Sequence, residues 1–245
     1  MRKRPGRAVL FFWGALVLAS GSPMLFGQRM FEGIKGRIYT GLSFSYINVL
    51  GKSFDGNRYF GSPAEFIPVP ELGAASGLGG VLGFRGESIG IEVSYYYYRH
   101  SGTLIDPTPQ YEGPRPEKIG HHVGNIDFKG HFWPASRLEG YYQVGVAVIF
   151  LSVNKSIFGV EDNVWTAEGD VTYQGAAINL GLGLDYWLTP QIGLTVGVYC
   201  RPMFFTTLKQ NLPGEYADIG TYDYDVSGMK GLGLGLTAGI LINLK

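Results

Sequence analysis

The final stretch of the chain, residues 228–245, constrains the fold most strongly. From Leu232 onward, every second residue is apolar up to Leu244, and the positions between are mostly glycine or small polar residues. A period of two is typical of a β-strand, because successive side chains of a strand point to opposite faces. The stretch is shorter than the roughly 20 apolar residues that a membrane-spanning helix needs. It therefore predicts a strand with one apolar face, either in a membrane barrel or in a soluble sheet.

The same alternation recurs along the chain and predicts eight strands. They cover about residues 37–47, 75–84, 88–99, 121–132, 139–151, 173–187, 191–204 and 231–244. The connections alternate between long (48–74, 100–120, 152–172, 205–228) and short (85–88, 133–138, 188–190). Long outer loops and short periplasmic turns are typical of outer-membrane barrels, whereas a soluble sandwich has no reason to alternate them. The predicted fold class is all-β: an eight-stranded antiparallel up-and-down transmembrane β-barrel.

The aromatic residues agree with a sheet that crosses two membrane interfaces. The chain has 16 Tyr, 15 Phe and 4 Trp, and its 38 glycines suit a tightly curved sheet. Aromatic clusters at strand ends predict two girdles at the membrane surfaces. The outer girdle comprises Tyr95–Tyr98 with Phe204 and Phe205, and the periplasmic girdle comprises Trp133, Tyr141, Tyr142, Tyr186 and Trp187.

The first 27 residues have the pattern of a secretory signal peptide. A basic start with Arg2, Lys3, Arg4 and Arg7 precedes an apolar core over residues 8–18 and then small residues. That core is too short for an uncleaved membrane-spanning anchor. We therefore expect a signal peptide at 1–27, a barrel at 28–245, and a location in the outer membrane of a diderm bacterium. Outer-membrane lipids are then the expected surroundings.

Charge and cysteine content exclude other classes of protein. The leader holds four of the 20 basic residues and no acidic one, which leaves 16 basic against 20 acidic residues in the remainder. This balance gives no reason to expect a nucleic-acid partner. The single cysteine, Cys200, excludes an intramolecular disulfide, and its position predicts an outward, apolar role.

Alternation also predicts which polar side chains face the lumen. The candidates are Glu92, Asn125, Asp127, Lys129, Glu139, Gln143, Asn179, Asp185, Thr195 and Arg201. An eight-stranded barrel has an interior that side chains fill, or that holds one small ligand. If the third and fourth strands form a hairpin, Glu92 and Lys129 lie at similar depth and can pair. Such a pair serves either as a structural element or as part of a transport filter.

Two stretches carry a resemblance to a known family. Residues 130–148 (GHFWPASRLEGYYQVGVAV) combine a strand end, a short turn and a glycine-containing strand, and residues 181–190 read GLGLDYWLTP. The chain resembles the OmpW-type family of small eight-stranded outer-membrane barrels, within the opacity-type group. The resemblance implies passage of small hydrophobic solutes, with release sideways into the membrane, and folding by the barrel-assembly machinery. Barrels of this family usually end in an aromatic residue, whereas this sequence ends in Leu244-Lys245.

Two alternatives involve chemistry at the outer rim. Some eight-stranded barrels modify lipid A with a Ser–His pair, and His100-Ser101 could meet His121 across the loop, with Asp106 as an orienting acid. A metal site from His100, His121 and His122 is a second possibility. A solvated rim explains these residues better than either alternative. We therefore nominate no catalytic residue, metal or cofactor, and expect a non-enzymatic protein.

A further alternative is a surface adhesin or ligand-binding barrel that acts through its loops on a host or surface ligand. Loop 48–74 carries four aromatic residues, loop 100–120 four prolines, and the last loop an acidic pair, Asp223 and Asp225, that could bind calcium. Either of the first two loops could equally fold over the barrel mouth. From the sequence, the predicted function is a narrow channel or carrier for small hydrophobic solutes.

Overall fold

The chain folds into antiparallel strands. The computed structural model describes residues 36–51, 59–60, 65–68, 72–100, 119–132, 137–160, 165–211, 222–226 and 228–244. These residues form β1 (Arg37–Leu50), β2 (Tyr59–Phe60), β3 (Glu65–Pro68), β4 (Ala74–Arg85), β5 (Ile89–His100), β6 (Ile119–Phe132), β7 (Leu138–Val160), β8 (Trp165–Trp187), β9 (Ile192–Asn211), β10 (Tyr222–Asp225) and β11 (Lys230–Asn243). The predicted signal peptide lies outside the described residues.

Eight of these strands close into a barrel. Sequential antiparallel pairing joins β1, β4, β5, β6, β7, β8, β9 and β11. The last strand then pairs with the first, from Tyr39 opposite Asn243 to Leu50 opposite Leu232. Closure satisfies the backbone of both edge strands, as a sheet in lipid requires. The predicted eight-stranded antiparallel barrel is confirmed.

The outer surface of the barrel is a continuous apolar belt. Most of the side chains predicted to face outward are exposed, and the exposed fraction reaches 77% for Leu42, 71% for Leu78 and 62% for Val146. A water-soluble protein rarely leaves so large an apolar area uncovered. The belt therefore faces lipid, and the barrel is an outer-membrane barrel.

No helix in the described part of the chain is long and apolar enough to cross a membrane.

Tight turns gather at one end of the barrel. The Gly86 amide donates to the Ile89 carbonyl at 2.8 Å, and the Thr189 amide donates to the Ile192 carbonyl at 3.1 Å. The Thr189 hydroxyl also accepts from the amide of Ile192 at 3.0 Å. Since short turns mark the periplasmic side of such barrels, this end is periplasmic and the opposite end is extracellular.

The wall is taller on the side formed by β7, β8 and β9 than the sequence predicts. Residues 152–172 were expected to form a long loop, but β7 continues to Val160 and β8 begins at Trp165, with an irregular register between Val153 and Ser156. The expectation was wrong because a strand that has left the lipid needs no apolar face, so its alternation disappears. Strand β10 pairs with the extended β9, and β3 pairs with the end of β7.

The predicted aromatic girdles are half wrong. Their outward members are exposed, namely Tyr95, Tyr97, Tyr142, Tyr186 and Phe204. Their neighbours are buried inside the barrel, namely Tyr96, Tyr98, Tyr141, Trp187 and Phe205. Adjacent residues of a strand face opposite sides, so only one member of each aromatic pair can meet lipid. Trp133 lies outside the described residues.

Candidate functional site in the barrel lumen

The candidate lumen residues lie on the inner face of the barrel wall. Eight are buried, and Gln143 and Thr195 are partly buried; the buried ones are Glu92, Asn125, Asp127, Lys129, Glu139, Asn179, Asp185 and Arg201. They are contributed by five neighbouring strands, β5 to β9. Together they form a polar layer in the periplasmic half of the lumen.

An ion pair stands at the centre of this layer. The Lys129 ammonium donates to Glu92 Oε2 at 2.6 Å, which confirms the predicted pairing. The Tyr39 hydroxyl donates to the same oxygen at 2.7 Å. Lys129 also lies over the Tyr141 ring, 4.5 Å from its centroid. Because both charges are buried, each depends on the other for compensation.

A chain of amide hydrogen bonds crosses the lumen beside the ion pair. The Asn179 side-chain amide donates to Asn125 Oδ1 at 2.8 Å and to Asp127 Oδ1 at 3.0 Å. Arg201 Nε donates to Asn179 Oδ1 at 2.6 Å. Asn125 in turn donates to the Ser94 hydroxyl at 3.0 Å. This network joins β5, β6, β8 and β9 across the barrel interior.

A third polar group occupies the periplasmic end. Glu139 forms an ion pair with Arg85, and the Trp187 indole donates to Glu139 Oε2 at 3.0 Å. In the sequence, Arg85 falls in a predicted turn and Trp187 in a predicted girdle, and Tyr39 is not among the candidate lumen residues. Continuing the alternation to the ends of the strands would have placed all three inside the barrel.

Inward glycines make room for tyrosine rings. A Cβ on Gly83 would lie 2.2 Å from Cζ of Tyr39, and one on Gly183 would lie 2.3 Å from Cζ of Tyr141. Both distances are far shorter than a van der Waals contact. The space opened by these glycines is therefore occupied by aromatic side chains rather than left as a pore.

A small cavity remains within the polar layer. Its volume is about 30 Å³, and its lining includes Glu92, Asp127, Lys129, Tyr141 and Arg201. A space of this size accommodates about two water molecules. The polar layer is thus closed to solutes in this conformation.

The extracellular half of the lumen is mostly apolar, apart from the buried pair His100 and His121. The residues that fill it are completely or almost completely buried: Ile47, Val49, Ile119, Val123, Ile149, Leu151, Val153, Met203, Phe205, Leu208 and Met229. The boundary with the polar layer is marked by three hydroxyls. The Tyr98 and Tyr199 hydroxyls lie 3.0 Å apart, and the Ser45 hydroxyl lies within 3.2 Å of both.

Only two of the three histidines proposed for a metal site come together. His100 Nε2 lies 3.2 Å from His121 Nδ1, and His100 Nδ1 lies 3.0 Å from the Gly73 carbonyl oxygen. His122 points to the other face of β6, where its Nδ1 contacts the Tyr95 hydroxyl at 2.6 Å. The three-histidine site is therefore wrong, because His121 and His122 are adjacent in one strand. Ser101 and Asp106 lie outside the described residues, as do the side chains of Asp223 and Asp225.

Comparison with solved structures agrees with this fold. No protein-family model and no curated protein matches the chain. A major outer membrane protein from Thermus thermophilus aligns with a TM-score of 0.50 and 12% identity, over 85% of this chain and 99% of that one. OprG from Pseudomonas aeruginosa aligns with a TM-score of 0.49 and 13% identity, over 86% of this chain and 97% of OprG. Neisserial surface protein A aligns with a TM-score of 0.47 and 13% identity, over 84% of this chain and 97% of that protein. The chain has the fold of an outer-membrane β-barrel.

Proposed function

We propose that the barrel is a carrier for small hydrophobic solutes that bind in the extracellular half of its lumen. The observation that carries this proposal is the division of the interior into a mostly apolar extracellular half and a charged periplasmic half. A small apolar molecule matches the chemistry of the first half, since most of the side chains that it would contact there are apolar. It does not match the second half.

The polar layer favours a carrier over an open channel. A solute that crossed it would have to separate Lys129 from Glu92 and break the amide chain through Asn179. Each of those groups would then be buried without its partner, which is strongly unfavourable. A solute bound above the layer would leave sideways, between strands and into the membrane, rather than through the periplasmic end.

Uptake into vesicles with a lipopolysaccharide outer leaflet tests this function, because plain phospholipid is itself permeable to apolar solutes. The solutes are naphthalene as the apolar probe and sucrose as the polar one. We expect the barrel to accelerate uptake of naphthalene and to leave that of sucrose unchanged. Equal naphthalene uptake with and without the barrel would contradict the proposal, and sucrose entry would indicate an open channel instead.

A matched pair of variants on β7 locates the solute. Ile149 is fully buried in the extracellular half, whereas its neighbour Val148 faces lipid. Ile149→Ala enlarges the apolar compartment, so we expect faster naphthalene uptake. Val148→Ala removes a similar side chain from the lipid face and should leave uptake unchanged. If Val148→Ala changed naphthalene uptake and Ile149→Ala did not, the solute would bind outside the lumen.

A surface-binding role is supported by a different observation, the height of the wall. Strands β7 and β8 each contain 23 residues, against 12 in β5. The excess projects beyond the apolar belt on the extracellular side, where it could meet a host or surface ligand. Replacing residues 154–169 with a short turn would abolish ligand binding by intact cells under this alternative. The same change would leave naphthalene uptake intact under the carrier proposal.

A further inference from the structure

Three potential metal ligands converge at the periplasmic end of the lumen. They are His131 on β6, Glu139 on β7 and Asp185 on β8, and one donor atom from each lies within 4.8 Å of the other two. The strand register explains the convergence. Glu139 is directly opposite Asp185, and His131 is opposite Tyr141, two residues further along β7. Three inward side chains of adjacent strands thus meet on one patch of the wall.

Three polar atoms of this cluster have no hydrogen-bond partner in the described part of the chain. Within the described part of the chain, neither ring nitrogen of His131 makes a hydrogen bond, and neither does Asp185 Oδ1. The two residues are only 8% and 3% exposed. Buried polar groups without partners destabilise a fold, so they are uncommon unless a ligand or water completes them. These atoms therefore point to a bound ligand.

The charge balance of the lumen indicates the sign of that ligand. The buried carboxylates of the described residues are Glu92, Asp127, Glu139 and Asp185. The buried cations other than histidine are Arg85, Lys129 and Arg201. Arg85 pairs with Glu139 and Lys129 with Glu92, whereas Asp185 has no ion pair among the described residues. Asp127 and Arg201 are likewise outside these two ion pairs, so the seven buried groups together carry one excess negative charge, which favours a cation as the ligand.

We propose that His131, Glu139 and Asp185 bind one divalent transition-metal ion of the Zn²⁺ type at the periplasmic rim. One imidazole nitrogen and two carboxylate oxygens form a donor set that Zn²⁺ accepts, with a fourth position for water. Arg85 and the Trp187 indole both contact Glu139 Oε2, which orients the carboxylate and leaves its other oxygen for the ion. The ion would join three neighbouring strands near their periplasmic ends.

Zinc binding by the untagged full chain, folded in detergent and stripped with a chelator, tests this site. Isothermal titration with Zn²⁺ gives the stoichiometry and the affinity, and heat-dependent gel mobility checks that each variant has folded. We expect one Zn²⁺ per barrel. His131→Leu and the isosteric Asp185→Asn should each weaken binding by at least about tenfold. His122→Leu, on the lipid-facing side of the same strand, should bind as the unmodified protein does.

The chain has only four histidines, which keeps the outcomes distinct. Absence of zinc binding by the unmodified barrel would overturn the proposal. So would binding that survives both His131→Leu and Asp185→Asn, since the ion would then be held elsewhere, for example by His100 and His121. Should His131→Leu fail to fold, the Asp185→Asn result decides alone, because that change preserves the shape of the side chain. This site is independent of solute transport.

Discussion

A charged side chain inside an eight-stranded barrel is held too deep to reach bulk water, so its stability depends on its partner. Lys129 and Glu92 illustrate this, because each is about 5% exposed and the two are in direct contact. Neutralising one of them leaves the other charge buried and uncompensated. Neutralising both removes the problem together with the ion pair.

Lys129→Met should therefore destabilise the barrel by about 3–5 kcal/mol. The double variant Glu92→Gln with Lys129→Met should recover most of that loss, because neither member of the ion pair then leaves its partner's charge uncompensated. Urea unfolding of the barrel in lipid vesicles, followed by tryptophan fluorescence, measures both values. A single variant as stable as the unmodified protein would show that water reaches Glu92 and that the lumen is open.

Two glycines on β4 provide a test of lumen packing. A Cβ on Gly83 would overlap the Tyr39 ring, whereas one on Gly80 would meet no heavy atom closer than 3.9 Å. Gly83→Ala should cost about 1–3 kcal/mol through overpacking and displacement of Tyr39 from Glu92. Gly80→Ala, in the same unfolding assay, should be neutral or slightly stabilising. Equal effects of the two changes would rule out the tyrosine packing described here.

At the scale of single residues, the sequence predicts which side of the barrel wall a side chain faces, but not which residue it contacts. The alternation of apolar and polar residues along the strands predicts that Glu92 and Lys129 point into the barrel. The hairpin between β5 and β6 then brings the two side chains to similar depth. Nothing in the pattern distinguishes a glycine that makes room for a ring from one that curves the sheet. The sequence does not reveal Arg85 and Trp187 as partners of Glu139. Both residues are at strand ends, where the apolar alternation stops and residues typical of turns begin.

At the scale of the strand, the lipid sets the pattern that the sequence displays. The membrane-facing parts of β5, β7 and β11 were predicted within a few residues, because each needs an apolar residue at every second position. The sequences at the end of β7 and the start of β8 carry no apolar alternation, so they resemble a loop. Pairing with each other, and not hydrophobic periodicity, defines them as strands.

The orientation of the barrel can be tested at its two ends. An epitope inserted at residues 161–164, between β7 and β8, should be reached by antibody on intact cells. The same epitope inserted at residues 86–88, between β4 and β5, should be reached only after the outer membrane is permeabilised. Fluorescence of labelled cells measures both, and the reverse accessibility would invert the assignment of the two ends.

The lipid-facing belt makes a depth-dependent prediction. Val146 lies at the middle of the membrane part of β7, and Ile192 is the first residue of β9, near the periplasmic surface. Val146→Arg should destabilise the barrel by about 2–4 kcal/mol, and Ile192→Arg by about 0–1 kcal/mol. Unfolding from lipid vesicles gives both numbers. Equal costs at the two positions would contradict the proposed membrane depth.

At the scale of the whole molecule, the fold was predictable and the state of the lumen was not. Strand number, loop alternation and outward facing are properties of sequence periodicity, and they sufficed to predict a closed barrel. Whether the interior is open depends on how the large side chains of opposite walls fill the same space. That packing involves residues far apart in the sequence, such as Tyr98 and Tyr199, whose hydroxyls meet at 3.0 Å.

Closure of the sheet between its first and last strands is the basis of every functional proposal made for this barrel, because an open edge would expose backbone polar groups to lipid. Nuclear magnetic resonance of the full chain in lipid nanodiscs tests closure directly, through proton contacts across the seam between β1 and β11. We predict contacts that follow the register of Phe44 with Ala238 and Leu42 with Ile240. Absence of these contacts, with rapid solvent exchange of alternate amides along β1, would contradict a closed barrel.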